Sequence, residues 1–150
     1  KKEGVIMNIS SAAAFQVFPY FSVYSASKAF VNQLSQSLDY ELKPHGVRVL
    51  ASCPGMVATQ FRRRASGGFE AQPPSSSAVM TPYYAAQKIW SQIQKRKPLD
   101  IFNWKYGLMA FLSKYVLPKS WVASKIADSI ESRHAPRTIV KRKNIITHDT

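Results

Sequence analysis

At 150 residues and 45% hydrophobic content, the chain has the length and composition of one globular domain with a real core. Its single cysteine, Cys53, excludes an internal disulfide and any multi-cysteine metal cage, and points to a reducing, cytoplasmic setting. A formal charge of +13 suits an anionic partner, but the surplus sits in short runs such as Arg62-Arg63-Arg64, Lys95-Arg96-Lys97 and Lys141-Arg142-Lys143 with no nucleic-acid-binding signature, so the runs read as solvated loop ends and no nucleic acid is expected.

Lys1-Lys2-Glu3-Gly4 leads straight into apolar residues, as a turn between an earlier helix and a strand would, so an N-terminal portion is expected upstream of residue 1. Val5 to Ser27 carries no charge, yet Asn8, Gln16, Pro19 and several serines interrupt it, which excludes a membrane span. Val5-Ile6-Met7-Asn8-Ile9 predicts a buried strand of a parallel sheet. Ser10 and Ser11 then stand at its carboxyl end, the edge at which open α/β sheets bind ligands. The loop from Ala12 to Tyr20 is small near the serines and aromatic beyond them, fit to wall an apolar pocket.

Apolar residues recur from Phe30 through Leu34 and Leu38 to Leu42, predicting a helix from about Tyr24 to Leu42 that Pro44 and Gly46 terminate. Val47 to Cys53 predicts a second strand, ended by Pro54-Gly55. Strand, helix, strand in that order makes a βαβ unit. From Thr59 to Ser77 the composition turns to Arg, Gly, Pro and Ser, a lid over about residues 60–80. Thr81-Pro82 is a helix start, threonine as cap and proline in the first turn. Lys95-Arg96-Lys97 suits the negative pole at that helix's end, and Leu99 to Trp104 predicts a third strand. Helices follow over Tyr106 to Val116 and Ser120 to Ile130. The first has a wide apolar face of Leu108, Met109, Phe111, Leu112, Tyr115 and Val116, whose expected use is packing on the sheet or a pocket, with a membrane surface or a partner as alternatives. Residues 1–131 thus form the domain, and 132–150 a flexible basic tail. His45, His134 and His148 have no ligand-like spacing, so no metal is expected.

Tyr24 and Lys28 carry the chemistry. Four residues apart on a helix, they share a face, and a fixed ammonium beside a phenol favours the phenolate. A phenol so placed can give a proton to a carbonyl oxygen or take one from an alcohol, and a serine hydroxyl from a neighbouring loop can hold the same oxygen.

Three signatures in this order, Asn8-Ile9-Ser10-Ser11, Tyr24 with Lys28 thirteen residues after Ser11, and Pro54-Gly55-Met56-Val57-Ala58-Thr59, resemble the short-chain dehydrogenase/reductase family. The likeness covers about residues 4 to 105 well and the last third more loosely. It implies the α/β Rossmann-like fold, a doubly wound parallel sheet, here its C-terminal half with additional C-terminal helices. Tyr24 would be the catalytic acid/base, Lys28 would support it and bind the nicotinamide ribose, and Ser11, not Ser10, would orient the substrate oxygen. Pro54, Gly55, Val57 and Thr59 would line the nicotinamide end of NADP or NAD, NADP being favoured. The family's glycine-rich phosphate loop, its NAD/NADP selector and its relay asparagine all belong upstream of residue 1, and Gly67-Gly68 do not replace the loop. The fragment alone is therefore expected to be inactive and unable to hold a dinucleotide tightly.

The aromatic loop, the lid and the apolar helix suggest a lipophilic ketone or alcohol, steroid-, retinoid- or acyl-like. The helix after Tyr24 suggests a homo-oligomer, and peripheral membrane association fits the basic surface. A non-catalytic scaffold of the same fold and a basic protein that binds anionic membranes are the competing readings.

Overall fold

The computed structural model of the chain describes residues 3–61, 64 and 79–131. Most of the lid at 60–80 and the whole tail at 132–150 lie outside them, as do Gly67 and Gly68.

Three parallel strands form one sheet in the order β1-β2-β3, with β1 at Gly4–Ile9, β2 at Val47–Cys53 and β3 at Leu99–Ile101. Each joins the next through a helix, α1 at Ser22–Leu42 and α2 at Pro82–Gln94. This is the α/β, Rossmann-like arrangement the sequence implies. In the register Asn8 stands opposite Ala51 and Ile9 opposite Ser52, so the serines after β1 emerge beside the end of β2.

The strand β2 is the centre of the molecule. Val49, Leu50, Ala51, Ser52 and Cys53 have no exposed surface, and burial of a Val or Leu side chain stabilises the fold by about 1.5–3 kcal/mol. β1 departs from the buried strand expected: Val5, Ile6 and Ile9 are exposed. Among the described residues β1 pairs only with β2, so its other edge has no strand partner.

The helix α1 starts two residues earlier than the periodicity predicts. Pro44 and Gly46 end it through a 3-10 turn, Lys43–His45, capped by Gly46 in a left-handed conformation, φ 81°, that a side chain would strain. Its buried residues are Ser25, Asn32, Ser35 and Asp39, not its leucines. Small polar side chains let the helix lie close to the sheet, provided each finds a partner. Asn8 Nδ2 donates to Ser35 Oγ at 2.9 Å, and Ser35 donates to the Val31 carbonyl at 2.6 Å. Arg48 grips Asp39 with two bonds of 2.7 and 2.9 Å while the Val49 N–H donates to the same carboxylate at 2.9 Å. These bonds hold the Asp39 carboxyl below its ordinary range, against the opposing effect of its burial.

Thr81 caps α2 as expected, its hydroxyl accepting from the Tyr84 N–H at 3.2 Å. Met80, Ala85 and Phe102 form a second core cluster, with Val57 and Ile89 against it. Two further helices follow, α3 at Trp104–Tyr115 and α4 at Lys119–Glu131. The expectation that the apolar face of α3 packs inward does not hold. Leu108, Met109, Phe111, Tyr115 and Val116 are exposed, and the buried residues are Ala110 and Ser113. Only small side chains fit where α3 crosses the turn after Ser11, against which it packs.

Candidate active site

Ser10 and Ser11 are both buried at the sheet's carboxyl edge, but their hydroxyls are used differently. Ser10 donates to the Lys28 carbonyl at 2.9 Å. Ser11 caps a 3-10 turn, Ala12–Phe15, where its Oγ accepts from the Ala13 N–H at 3.2 Å. A hydroxyl that accepts in this way keeps its own proton free to donate.

Lys28 returns the contact, its Nζ donating to the Ile9 carbonyl at 3.0 Å. The middle of α1 is thus pinned twice to the end of β1, once by the backbone of Lys28 and once by its side chain. One turn earlier, the Tyr24 ring centroid is 5.7 Å from Lys28 Nζ. The same ring packs on Phe61, with 5.8 Å between centroids. Both Tyr24 and Lys28 are half-buried, held by the protein yet reachable.

The end of β2 joins the same edge. The Ser10 N–H donates to the Ser52 carbonyl at 2.7 Å and the Ala12 N–H to the Pro54 carbonyl at 2.9 Å, which ties Pro54-Gly55 to the serine turn. Gly55 is needed for close approach: a Cβ there would stand 2.3 Å from Cε2 of Tyr106. Val57 forms a parallel bridge with Met80, closed by the Met56 carbonyl and the Ala58 N–H at 2.9 Å each. Thr59 Oγ1 accepts from the Phe61 N–H at 3.4 Å.

Ser11, Tyr24, Lys28, Pro54 and Gly55 are therefore gathered by hydrogen bonds and packing around one strand edge. Val57 and Thr59 lie farther along, with Val57 committed to the second core. An amine, a phenol and the Ser11 hydroxyl could hold a hydroxyl-rich ligand such as the nicotinamide end of a dinucleotide, and the Lys28 anchor leaves its ammonium two further N–H donors. Among the described residues no cluster of His, Cys, Asp and Glu could hold a metal.

Sequence reasoning missed three contributors. Ser10 appeared only as the neighbour of Ser11, although it fixes Lys28. Tyr106 opens a helix in the sequence pattern, and nothing in its spacing announces that it roofs Gly55. Asn32 lies one turn beyond Lys28 and accepts a hydrogen bond from Cys53 Sγ at 3.2 Å. Burial pushes the Cys53 thiol up to about 11, more than that bond lowers it.

A family model described as short chain dehydrogenase matches residues 1–68. The very-long-chain 3-oxoacyl-CoA reductase of Anas platyrhynchos is 40% identical over 109 residues, which is 73% of this chain and 34% of that protein. A solved short-chain dehydrogenase from Burkholderia cenocepacia J2315, in complex with NADP, superposes with a TM-score of 0.65 at 21% identity, over 83% of this chain and 47% of the other. Another from Sphingobium yanoikuyae, in complex with NADPH, gives 0.56 at 26% identity over 93% and 48%. The chain thus spans about a third of that reductase's length and about half of these structures.

Proposed function

From the chain's membership of the short-chain dehydrogenase/reductase family, we propose that it supplies the catalytic half of an NAD(P)-dependent oxidoreductase that interconverts a carbonyl and an alcohol. The observation that carries this reading is the double pin of Lys28 to the end of β1, with Tyr24 one turn away. A bound dinucleotide supplies the hydride chemistry. Tyr24 gives a proton to the substrate oxygen in reduction and takes it back in oxidation. Ser11, with its proton uncommitted to the turn it caps, donates to the same oxygen. Lys28 places its ammonium beside the phenol and holds the ribose, and Pro54, Gly55, Val57 and Thr59 border the nicotinamide.

An acyl-type lipophilic substrate is supported by the likeness to the 3-oxoacyl-CoA reductase, and NADP by the NADPH-bound relative at 26% identity. Homo-oligomerisation through α1 is supported by Val23, Phe30 and Leu34, which are exposed and lie along one stripe. Peripheral membrane association is supported by α3. Trp104, Leu108, Phe111 and Tyr115 fall along one exposed face at helical spacing, with Lys105 beside it. No helix among the described residues is long and apolar enough to cross a membrane.

The test is Tyr24→Phe in the whole enzyme that contains this chain, assayed on a 3-oxoacyl thioester with NADPH. Turnover should fall by about a hundredfold or more while NADPH still binds. Undiminished turnover would refute the assignment.

A further inference from the structure

Gly55 and Tyr106 meet at the reacting edge with no room to spare. A Cβ on Gly55 would stand 2.8 Å from both Cδ2 and Cζ of Tyr106 and closer still to Cε2, so one edge of the ring lies against the glycine backbone. Not even a methyl group fits between them.

The whole of α3 sets the ring there. Tyr106, Ala110 and Ser113 are spaced by four and three residues and share one side of the helix. Ala110 and Ser113 are buried, and Ser113 Oγ reaches the Phe15 carbonyl at 3.4 Å. The helix therefore lies across the carboxyl edge of the sheet, with Ser113 at the end of the turn that Ser11 caps and Tyr106 at the end of β2. The Ala12 N–H donates to the Pro54 carbonyl at 2.9 Å, which places the glycine under Tyr106 one residue from that turn's anchor.

We propose that Tyr106 is a specificity-determining residue of the carbonyl–alcohol reaction, its ring admitting only an unbranched carbon chain next to the reacting carbonyl. This role rests on Gly55 bordering the nicotinamide, as proposed above. The reacting carbon must face the nicotinamide while its oxygen reaches Ser11 and Tyr24, which brings the adjoining carbons beside the serine turn and Gly55. A methylene passes there, whereas a branch toward α3 meets the ring. Already in contact with the Gly55 backbone, the ring has no slack in which to retreat. One carbon too many in a filled pocket changes selectivity by about 10–200-fold.

The experiment compares kcat/KM for a linear 3-oxoacyl thioester and its 2-methyl counterpart, with NADPH, in the whole enzyme that contains this chain. Wild type should favour the linear substrate by about tenfold or more. Tyr106→Ala should cut that preference by about tenfold through better use of the branched substrate, and Tyr106→Phe, which keeps the ring, should hold it within about twofold. A ring with a merely structural role would lower both substrates together and leave their ratio alone. If Tyr106→Ala does not fold, Tyr106→Leu, apolar but shorter than the ring, decides. A ratio within about twofold of wild type in the shortened variant, or a shift in Tyr106→Phe as large as in Tyr106→Ala, would overturn the role of the ring. Tyr24→Phe separates this outcome from the acid/base assignment, because it should lower both substrates alike without moving their ratio. Turnover of neither substrate by wild type would overturn both.

Discussion

The helices α1 and α3 divide their side chains in opposite senses. α1 turns serines, an asparagine and an aspartate to the sheet and leaves Phe30 and Leu34 outside, whereas α3 buries Ala110 and Ser113 and exposes Trp104, Leu108 and Phe111. In neither case does hydrophobicity choose the buried face. On α1 it is chosen by partners: the end of β1 and the start of β2 offer Asn8, Arg48 and the Val49 N–H at the height of Ser35 and Asp39. On α3 it is chosen by room, because the turn after Ser11 admits only small side chains. A helix beside a reacting edge must be held at a fixed distance, and hydrogen bonds fix distance more sharply than apolar contact does.

The largest effect is expected where that argument is most exposed. Asp39→Ala removes the acceptor of both Arg48 and the buried Val49 N–H. Breaking one side of such a pair costs about 3–5 kcal/mol, read as a lower urea midpoint. A loss under about 1 kcal/mol would mean that α1 is held by its apolar contacts after all. The same carboxylate makes stability depend on pH. Its folded value lies below the unfolded one of about 3.9, so its contribution is fully present above that pH and is lost as pH falls through the folded value. Urea midpoints at pH 6 and pH 3 should therefore differ more for wild type than for Asp39→Asn. Equal differences would remove Asp39 from the account.

A smaller loss is expected at Ser35→Ala. It strips the acceptor from Asn8 Nδ2 and leaves a half-buried amide unpaired, a cost of about 1–3 kcal/mol. An unchanged midpoint would mean that water replaces the hydroxyl without loss.

Ser35 also marks where the sequence stopped being legible. The strands, α1 and α2 could be read because Gly4, Pro44-Gly46 and Thr81-Pro82 punctuate them and apolar residues recur between. The reacting edge could be read because its motifs are local, each a few residues long. What periodicity cannot give is which face of a helix meets the sheet when the contact is polar. Ser25, Asn32, Ser35 and Asp39 carry no hydrophobic signal, and the strand-side partners of Asn32, Ser35 and Asp39 lie 9 to 27 residues away. For the same reason the Ser10 anchor of Lys28 and the Tyr106 roof over Gly55 went unseen, since each joins residues that only folding brings together. The exposure of Val5 and Ile6 on β1 belongs with these: an apolar run predicts a strand, but whether both its sides are covered depends on neighbours the run does not contain.

The smallest effect on stability, and the sharpest test of the contrast, is on α3. If room rather than hydrophobicity sets its buried face, Leu108→Gln with Phe111→Gln touches nothing that holds the fold, because Phe111 is 56% exposed and its ring contact is to Tyr115 on the same face. The stability read from urea unfolding should then change by less than about 0.5 kcal/mol per substitution. Binding to vesicles with about 30% anionic lipid should fall by about a hundredfold or more, since each of the two side chains contributes about 1.5–3 kcal/mol when buried in lipid and about 1.4 kcal/mol is a factor of ten. Raising salt should weaken the remainder, because Lys105 and its neighbours act through screened charge. A large drop in stability would return α3 to the core, and unchanged vesicle binding would leave its apolar stripe to a partner other than lipid.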